Sequence, residues 1–186
     1  PGIWGDYKDF YETDVRGTQN IIFACHKNNV KKLIYTSTPS VVFGGKNIEG
    51  ADEQISYPDE YLCHYSETKA MAEKMVMESN GTNDLSTVCL RPHLIWGPGD
   101  PHLLPRIVER AKNGKLIRVG EGTNLVDMIY IDNAVDAHIK VCEKLDLNSP
   151  VAGNCYFVSD DKPILLWEWI ELVLTQLRLP GITKVI

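Results

Sequence analysis

Tyr65 and Lys69 are the two residues of this chain best suited, by type and spacing, to move a proton. They lie in the run His64-Tyr65-Ser66-Glu67-Thr68-Lys69, which continues as Ala70-Met71-Ala72-Glu73-Lys74. On a helix, residues four apart stack on one face about a turn apart. An ammonium beside a phenol favours the phenolate. An unperturbed tyrosine titrates near about 10, and bringing it to neutrality takes roughly 4 kcal/mol, within reach of a desolvated neighbouring cation. A phenol tuned in that way exchanges a proton with an alcohol at physiological pH. The spacing alone has little specificity, because the chain holds eight tyrosines. Its meaning depends on the elements around it.

Those elements alternate between strand and helix. Glu12 to Asn29 predicts a helix whose apolar stripe is Val15, Ile21, Ile22 and Cys25, stopped by Asn28-Asn29. Lys32 to Ser37 predicts a buried strand, broken by Pro39 and Gly44-Gly45. Residues 51–62 form a polar loop, and the helix of Tyr65 then runs to a cap at Gly81. Ser86 to Leu90 is a second strand, closed by Arg91-Pro92. After Gly97-Pro98-Gly99 come a helix around Leu104 to Lys112, a short strand at Leu116 to Val119, and a β-like run from Leu125 to Ile131. Asp132 is placed to cap a helix reaching about Leu145, Tyr156-Phe157-Val158 is a last strand, and Trp167 to Leu177 is an amphipathic helix. Trp167 and Trp169, two apart, are not expected to face one core. The alternation implies an α/β layered fold with a mostly parallel sheet.

Composition narrows the function classes. The chain has 186 residues, 44% hydrophobic and 24% charged, with a net charge of −6. That is one domain's worth of ordinary globular sequence. Lys31-Lys32 and the lysines at 112 and 115 are short and isolated, which argues against nucleic-acid binding. The apolar run from Ile164 to Leu179 carries Glu168, Glu171 and Arg178, so it reads as an amphipathic helix and not a membrane span. Five scattered cysteines (25, 63, 89, 142 and 155) lack paired metal spacing and are expected to be free thiols, mostly filling core.

In an open parallel sheet, ligands bind beyond the carboxyl ends of the strands. The first strand ends Tyr35-Thr36-Ser37-Thr38 and the second leads into Leu90-Arg91-Pro92-His93-Leu94-Ile95-Trp96-Gly97-Pro98-Gly99. Hydroxyls, the tyrosine and the lysine are therefore expected at one crevice. With Asp14-Val15-Arg16-Gly17-Thr18-Gln19-Asn20 before them and Ile131-Asp132-Asn133-Ala134-Val135 after them, this ordered set resembles the extended short-chain dehydrogenase/reductases, in their 3β-hydroxysteroid dehydrogenase branch. The resemblance covers about residues 12 to 160.

The resemblance implies a Rossmann-like, doubly wound parallel sheet, here incomplete, with parts of a substrate region around 97–125 and 155–186. It implies that Tyr65 is the acid/base and that Lys69 lowers its pKa and holds the nicotinamide ribose. Thr38, or Ser37 beside it, would polarise the substrate, and Pro92, His93 and Ile95 would line the nicotinamide pocket. The cofactor implied is NAD or NADP, with NAD favoured. The substrate is a steroid- or sterol-like small molecule, and a homodimer is left open. The location is intracellular, with membrane association left open through segments outside this stretch. Asp14 stands where such proteins commonly have Asn, which puts a water relay there in doubt, and Thr38 stands for a more usual Ser. The Gly-x-Gly-x-x-Gly that a dinucleotide fold places between its first strand and helix does not occur. In relatives it lies upstream of the position matching Pro1, so the chain is expected to be a partial sequence. Nucleotide-sugar epimerisation or dehydration, and dinucleotide binding without turnover, are the competing functions. His64 is expected to be solvated, Asp14 structural, and Trp96 and His93 to border a pocket.

Overall fold

The computed structural model describes residues 5–182 and 184–186. In chain order the elements begin with α1 (Tyr7–Phe10), a π-helical stretch (Tyr11–Arg16), α2 (Gly17–Lys27), β1 (Lys32–Thr36), α3 (His64–Glu78) and β2 (Ser86–Pro92). They continue with β3 (Leu94–Trp96), α4 (Leu103–Lys112), β4 (Ile117–Arg118), β5 (Leu125–Val126), β6 (Met128–Tyr130) and α5 (Ile131–Lys144). The chain ends with β7 (Asn154–Val158), β8 (Ile164–Leu165), α6 (Leu166–Gln176) and β9 (Lys184–Val185). It divides into two compact units, residues 1–92 with 135–158, and residues 93–134 with 159–186.

The first unit is built on a parallel sheet in the order β1-β2-β7. β2 is the apolar centre strand, buried at every position through Pro92. It runs beyond its expected end at Leu90 because Arg91 finds a buried partner. β1 is less buried than its composition predicts. It pairs with β2 along one side, and its end residues Lys32 and Thr36 are exposed. The long helical segment starts earlier than expected, at Tyr7. Val15, Thr18 and Cys25 face inward, while Ile21 is exposed. The reason is the 3.6-residue period, which carries position 21 about 120° off the face set by Val15.

α3 lies against β2 through Glu73, which pairs with Arg91. Ala70 and Ala72 are buried to within 1% exposure. Val41, Val42 and Ala70 form one core cluster, with Tyr57, Tyr61 and Phe157 packed on it. Val88, Leu90 and Leu145 form another beside Ile34 and Val141. α3 ends at Glu78, and Gly81 adopts a left-handed backbone three residues later.

The second unit pairs β3 with β6 in parallel, β4 with β9 in parallel, and β5 with β8 antiparallel. The expected single run from Leu125 to Ile131 is thus two strands with different partners, separated at Asp127. α5 begins at Ile131, so Asp132 sits exposed inside its first turn and not at the cap. A carboxylate there still complements the helix dipole. The core joins Ile107, Ala111 and Leu116 to Ile170 and Leu174. Contrary to expectation, Trp167 and Trp169 both pack on this cluster. Large indole rings reach around a helix from either flank of its inward stripe. Trp96 lies edge-on to Tyr130 and Trp169, with centroids 5.1 and 5.6 Å apart.

Candidate active site

Three parallel strands end on one edge of the first unit's sheet, and β1 delivers the hydroxyls there. Ser37 extends the ladder by donating its N–H to Leu90 O at 2.6 Å. At Thr38 the backbone is extended and a short 3₁₀ turn, Pro39–Val42, begins. Thr38 Oγ1 accepts from Ser40 N at 3.3 Å and lies 3.1 Å from Ser40 Oγ. It also lies beside the phenol of Tyr65 and bears on its pKa. Ser37 points elsewhere. Its hydroxyl is buried and leans on the Glu73 carboxylate without closing a hydrogen bond of good geometry. Of the two candidate hydroxyls, Thr38 is the one that bears on the tyrosine.

Tyr65 stands in the first turn of α3, half-buried, with the Phe10 ring edge-on at 6.2 Å. Burial pushes its phenol pKa up, the nearby Thr38 hydroxyl pulls it down, and the charge of Asp14 pushes it up again. The balance is upward, opposite to what the helical spacing with Lys69 predicts. Lys69 is engaged differently. Its Nζ donates to Thr36 O at 2.8 Å and sits 4.1 Å above the Tyr35 ring. Burial lowers the Lys69 pKa, partly opposed by the charges of Asp14 and Glu73. Desolvation by burial is the largest contribution to both shifts.

The row continues one turn further, to a residue that the sequence reading passed over. Glu73 is fully buried and ion-paired with Arg91 of β2, with Nη2 to Oε1 at 2.7 Å and Nε to Oε2 at 3.0 Å. Tyr57 OH donates to the same carboxylate at 2.6 Å. Burial alone would raise the Glu73 pKa, but the bonds from Arg91 and Tyr57 hold it below the usual carboxylate range. The signal was present in the sequence: Glu73 follows Lys69 by four, and Arg91 interrupts an apolar strand. A charge in such a strand needs a partner.

Asp14 is placed by the π-helical stretch. Its Oδ2 accepts from Thr68 Oγ1 at 2.7 Å, next to Lys69 on α3. Pro92 is the buried last residue of β2. His93 and Ile95 belong to the second unit. His93 is half-buried, and burial lowers its imidazole pKa against the opposing charge of Asp127. Ile95 pairs with Ile129 across β3 and β6. His64 is exposed, 4.0 Å from Glu67 and edge-on to Tyr7. Among the described residues, no helix is long and apolar enough to cross a membrane.

Comparison with known proteins places this geometry. The chain is 42% identical to a 2-alkyl-3-oxoalkanoate reductase of Shewanella oneidensis, over 98% of its own length and 49% of the relative's. It is 38% identical to the human sterol-4-alpha-carboxylate 3-dehydrogenase (decarboxylating), over 91% of its length and 46% of the relative's. The chain thus spans about half the length of these curated relatives. Among solved structures, a UDP-glucuronic acid 4-epimerase from Bacillus cereus, in complex with NAD, superimposes with a TM-score of 0.81 at 23% identity. That match covers all of this chain and 60% of the epimerase, and it shows a shared α/β fold. The sequence pattern of the 3-beta hydroxysteroid dehydrogenase/isomerase family matches residues 4–183, and the chain belongs to that family.

Proposed function

We propose that the protein is an NAD-dependent oxidoreductase that interconverts a secondary alcohol and a ketone, with Tyr65 as acid/base. The observation that carries this is the placement of the Thr38 hydroxyl beside the Tyr65 phenol, just past the end of β1 in a parallel sheet, with Lys69 one turn along α3. The residues fit the nicotinamide end of such a cofactor. Lys69 has three N–H groups and gives one to Thr36 O, which leaves donors for ribose hydroxyls. When bound, the cofactor accepts or supplies the hydride. Tyr65 handles the proton. With its phenol pKa raised, Tyr65 is protonated at neutral pH and donates to a developing alkoxide oxygen as a ketone is reduced. In the reverse direction the phenolate takes that proton from the carbinol. Thr38 holds the phenol in place and offers the same substrate oxygen a second hydroxyl. Pro92, at the buried end of β2, lines the nicotinamide in this reading.

The substrate we propose is a 3β-hydroxysteroid or sterol-like alcohol. The names of the two relatives support a narrower trait. A 2-alkyl-3-oxoalkanoate and a sterol 4-carboxylate oxidised at carbon 3 both carry the reacting oxygen on the carbon β to a carboxylate. The test is NAD-linked turnover of the full-length protein on 3β-hydroxysteroids, with and without a 4-carboxylate, and on branched 3-hydroxy acids. Tyr65→Phe should lower kcat by about 10²-fold or more. Unchanged turnover in that variant would overturn the mechanism. Turnover of UDP-sugars alone would move the substrate to the nucleotide-sugar class.

A further inference from the structure

Cys89 and Cys155 are 66 residues apart in sequence and face one another in space. β2 and β7 are in parallel register with Cys89 opposite Cys155. Neighbouring strands put such Cα atoms about 4.8 Å apart, inside the roughly 4.4–6.8 Å window that a disulfide needs. Opposed residues in a parallel pair point to the same face, and here the two sulfurs lie within 4.8 Å of one another. Both lie with a Glu73 carboxylate oxygen in a group whose atoms are all within 4.8 Å. Cys89 Sγ is also 3.9 Å from the Glu73 backbone oxygen.

A metal is a poor occupant of this trio. The Glu73 oxygens are committed to Arg91 and Tyr57, and the guanidinium beside them repels a cation. Tetrahedral thiolate sites also need a fourth ligand.

We infer that Cys89 and Cys155 are a thiol–disulfide switch, closed by exchange with a low-molecular-weight disulfide of the glutathione type. The Cys155 thiolate attacks one sulfur of the small disulfide. That S–S bond breaks, and one small thiolate leaves and takes up a proton. Cys89 then gives up its proton and attacks Cys155 Sγ, expelling the second small thiol. Two protein thiols are oxidised to one disulfide, and the small disulfide is reduced to two thiols. The order follows from access and acidity. Cys155 is half-buried, and the neighbouring Cys89 thiol draws its pKa down. Cys89 is fully buried, and its pKa is pushed up by the neighbouring Cys155 and by burial. A more acidic, more accessible thiol attacks first.

The experiment treats the full-length protein with glutathione disulfide, denatures it, alkylates the remaining thiols and maps the peptides by mass. A peptide linked through Cys89 and Cys155, removed by dithiothreitol, is the expected product. Cys155→Ser should abolish it. Cys89→Ala should instead trap a glutathione adduct on Cys155. Glutathione on exposed Cys142 or on Cys63 alone, with 89 and 155 both alkylated, would overturn the inference. So would an adduct on Cys155 that persists in the unsubstituted protein. The readout is a covalent mass and needs no turnover, so it stands apart from the proposed oxidoreductase activity.

Discussion

In the first unit, α3 is fastened to β2 by a buried carboxylate and guanidinium, Glu73 and Arg91, with Tyr57 closing the pair. In the second, α4 and α6 meet through Ile107, Ala111, Ile170 and Leu174, flanked by indoles. The contrast shows two ways to fix a helix. Apolar contact is tolerant of sliding, because one methyl group replaces another at little cost. A bidentate ion pair sets one register, because a half-turn of slip leaves a charge buried alone. The helix that needs one register is α3, since Tyr65 and Lys69 ride on the same face as Glu73.

Breaking the ion pair should have the largest effect. Arg91→Met leaves Glu73 buried without its cation and should cost about 3–5 kcal/mol in denaturant unfolding. The double variant Glu73→Gln/Arg91→Met should recover part of that loss. If the single and double variants are equally destabilised, the pair is not what holds α3. In the second unit, Leu174→Ala should cost about 3 kcal/mol by emptying a fully buried site.

The two losses should separate with pH. The Glu73 pKa is lower in the folded chain than its unfolded value of about 4.3. Its contribution is therefore fully present above about pH 4.3, and it is lost as pH falls through the folded value. Unfolding measured from neutrality to acid should show stability dropping below about pH 4, with that drop reduced in Glu73→Gln. The increment from Leu174 should not change over the same range. The smallest effect is expected at the second polar fastening of α3. Thr68→Val removes the bond to Asp14 and should cost about 1.5 kcal/mol in the same assay. It should also alter the pH profile of turnover, because the Asp14 charge bears on both Tyr65 and Lys69.

Much of the strand and helix order was legible, because periodic burial and turn residues are local signals. The helix of Tyr65, the apolar strand before Pro92 and the helix before Asn113-Gly114 all fall close to where their residues predict. Ile21 and the paired tryptophans were misjudged, because facing depends on what lies opposite as well as on spacing. The split of residues 125–131 into two strands depended on partners far along the chain.

By itself the sequence determined that Tyr65, Lys69 and Glu73 share a helical face, and that hydroxyls end the preceding strand. Both follow from the fixed periods of helix and strand. Only the tertiary structure decided that Thr38 and not Ser37 meets the phenol, that Glu73 pairs with Arg91, and that Cys89 faces Cys155. It also decided the sign of the Tyr65 and Lys69 pKa changes. Desolvation sets those signs, and it arises from every element packed around a group, which no local run of residues encodes.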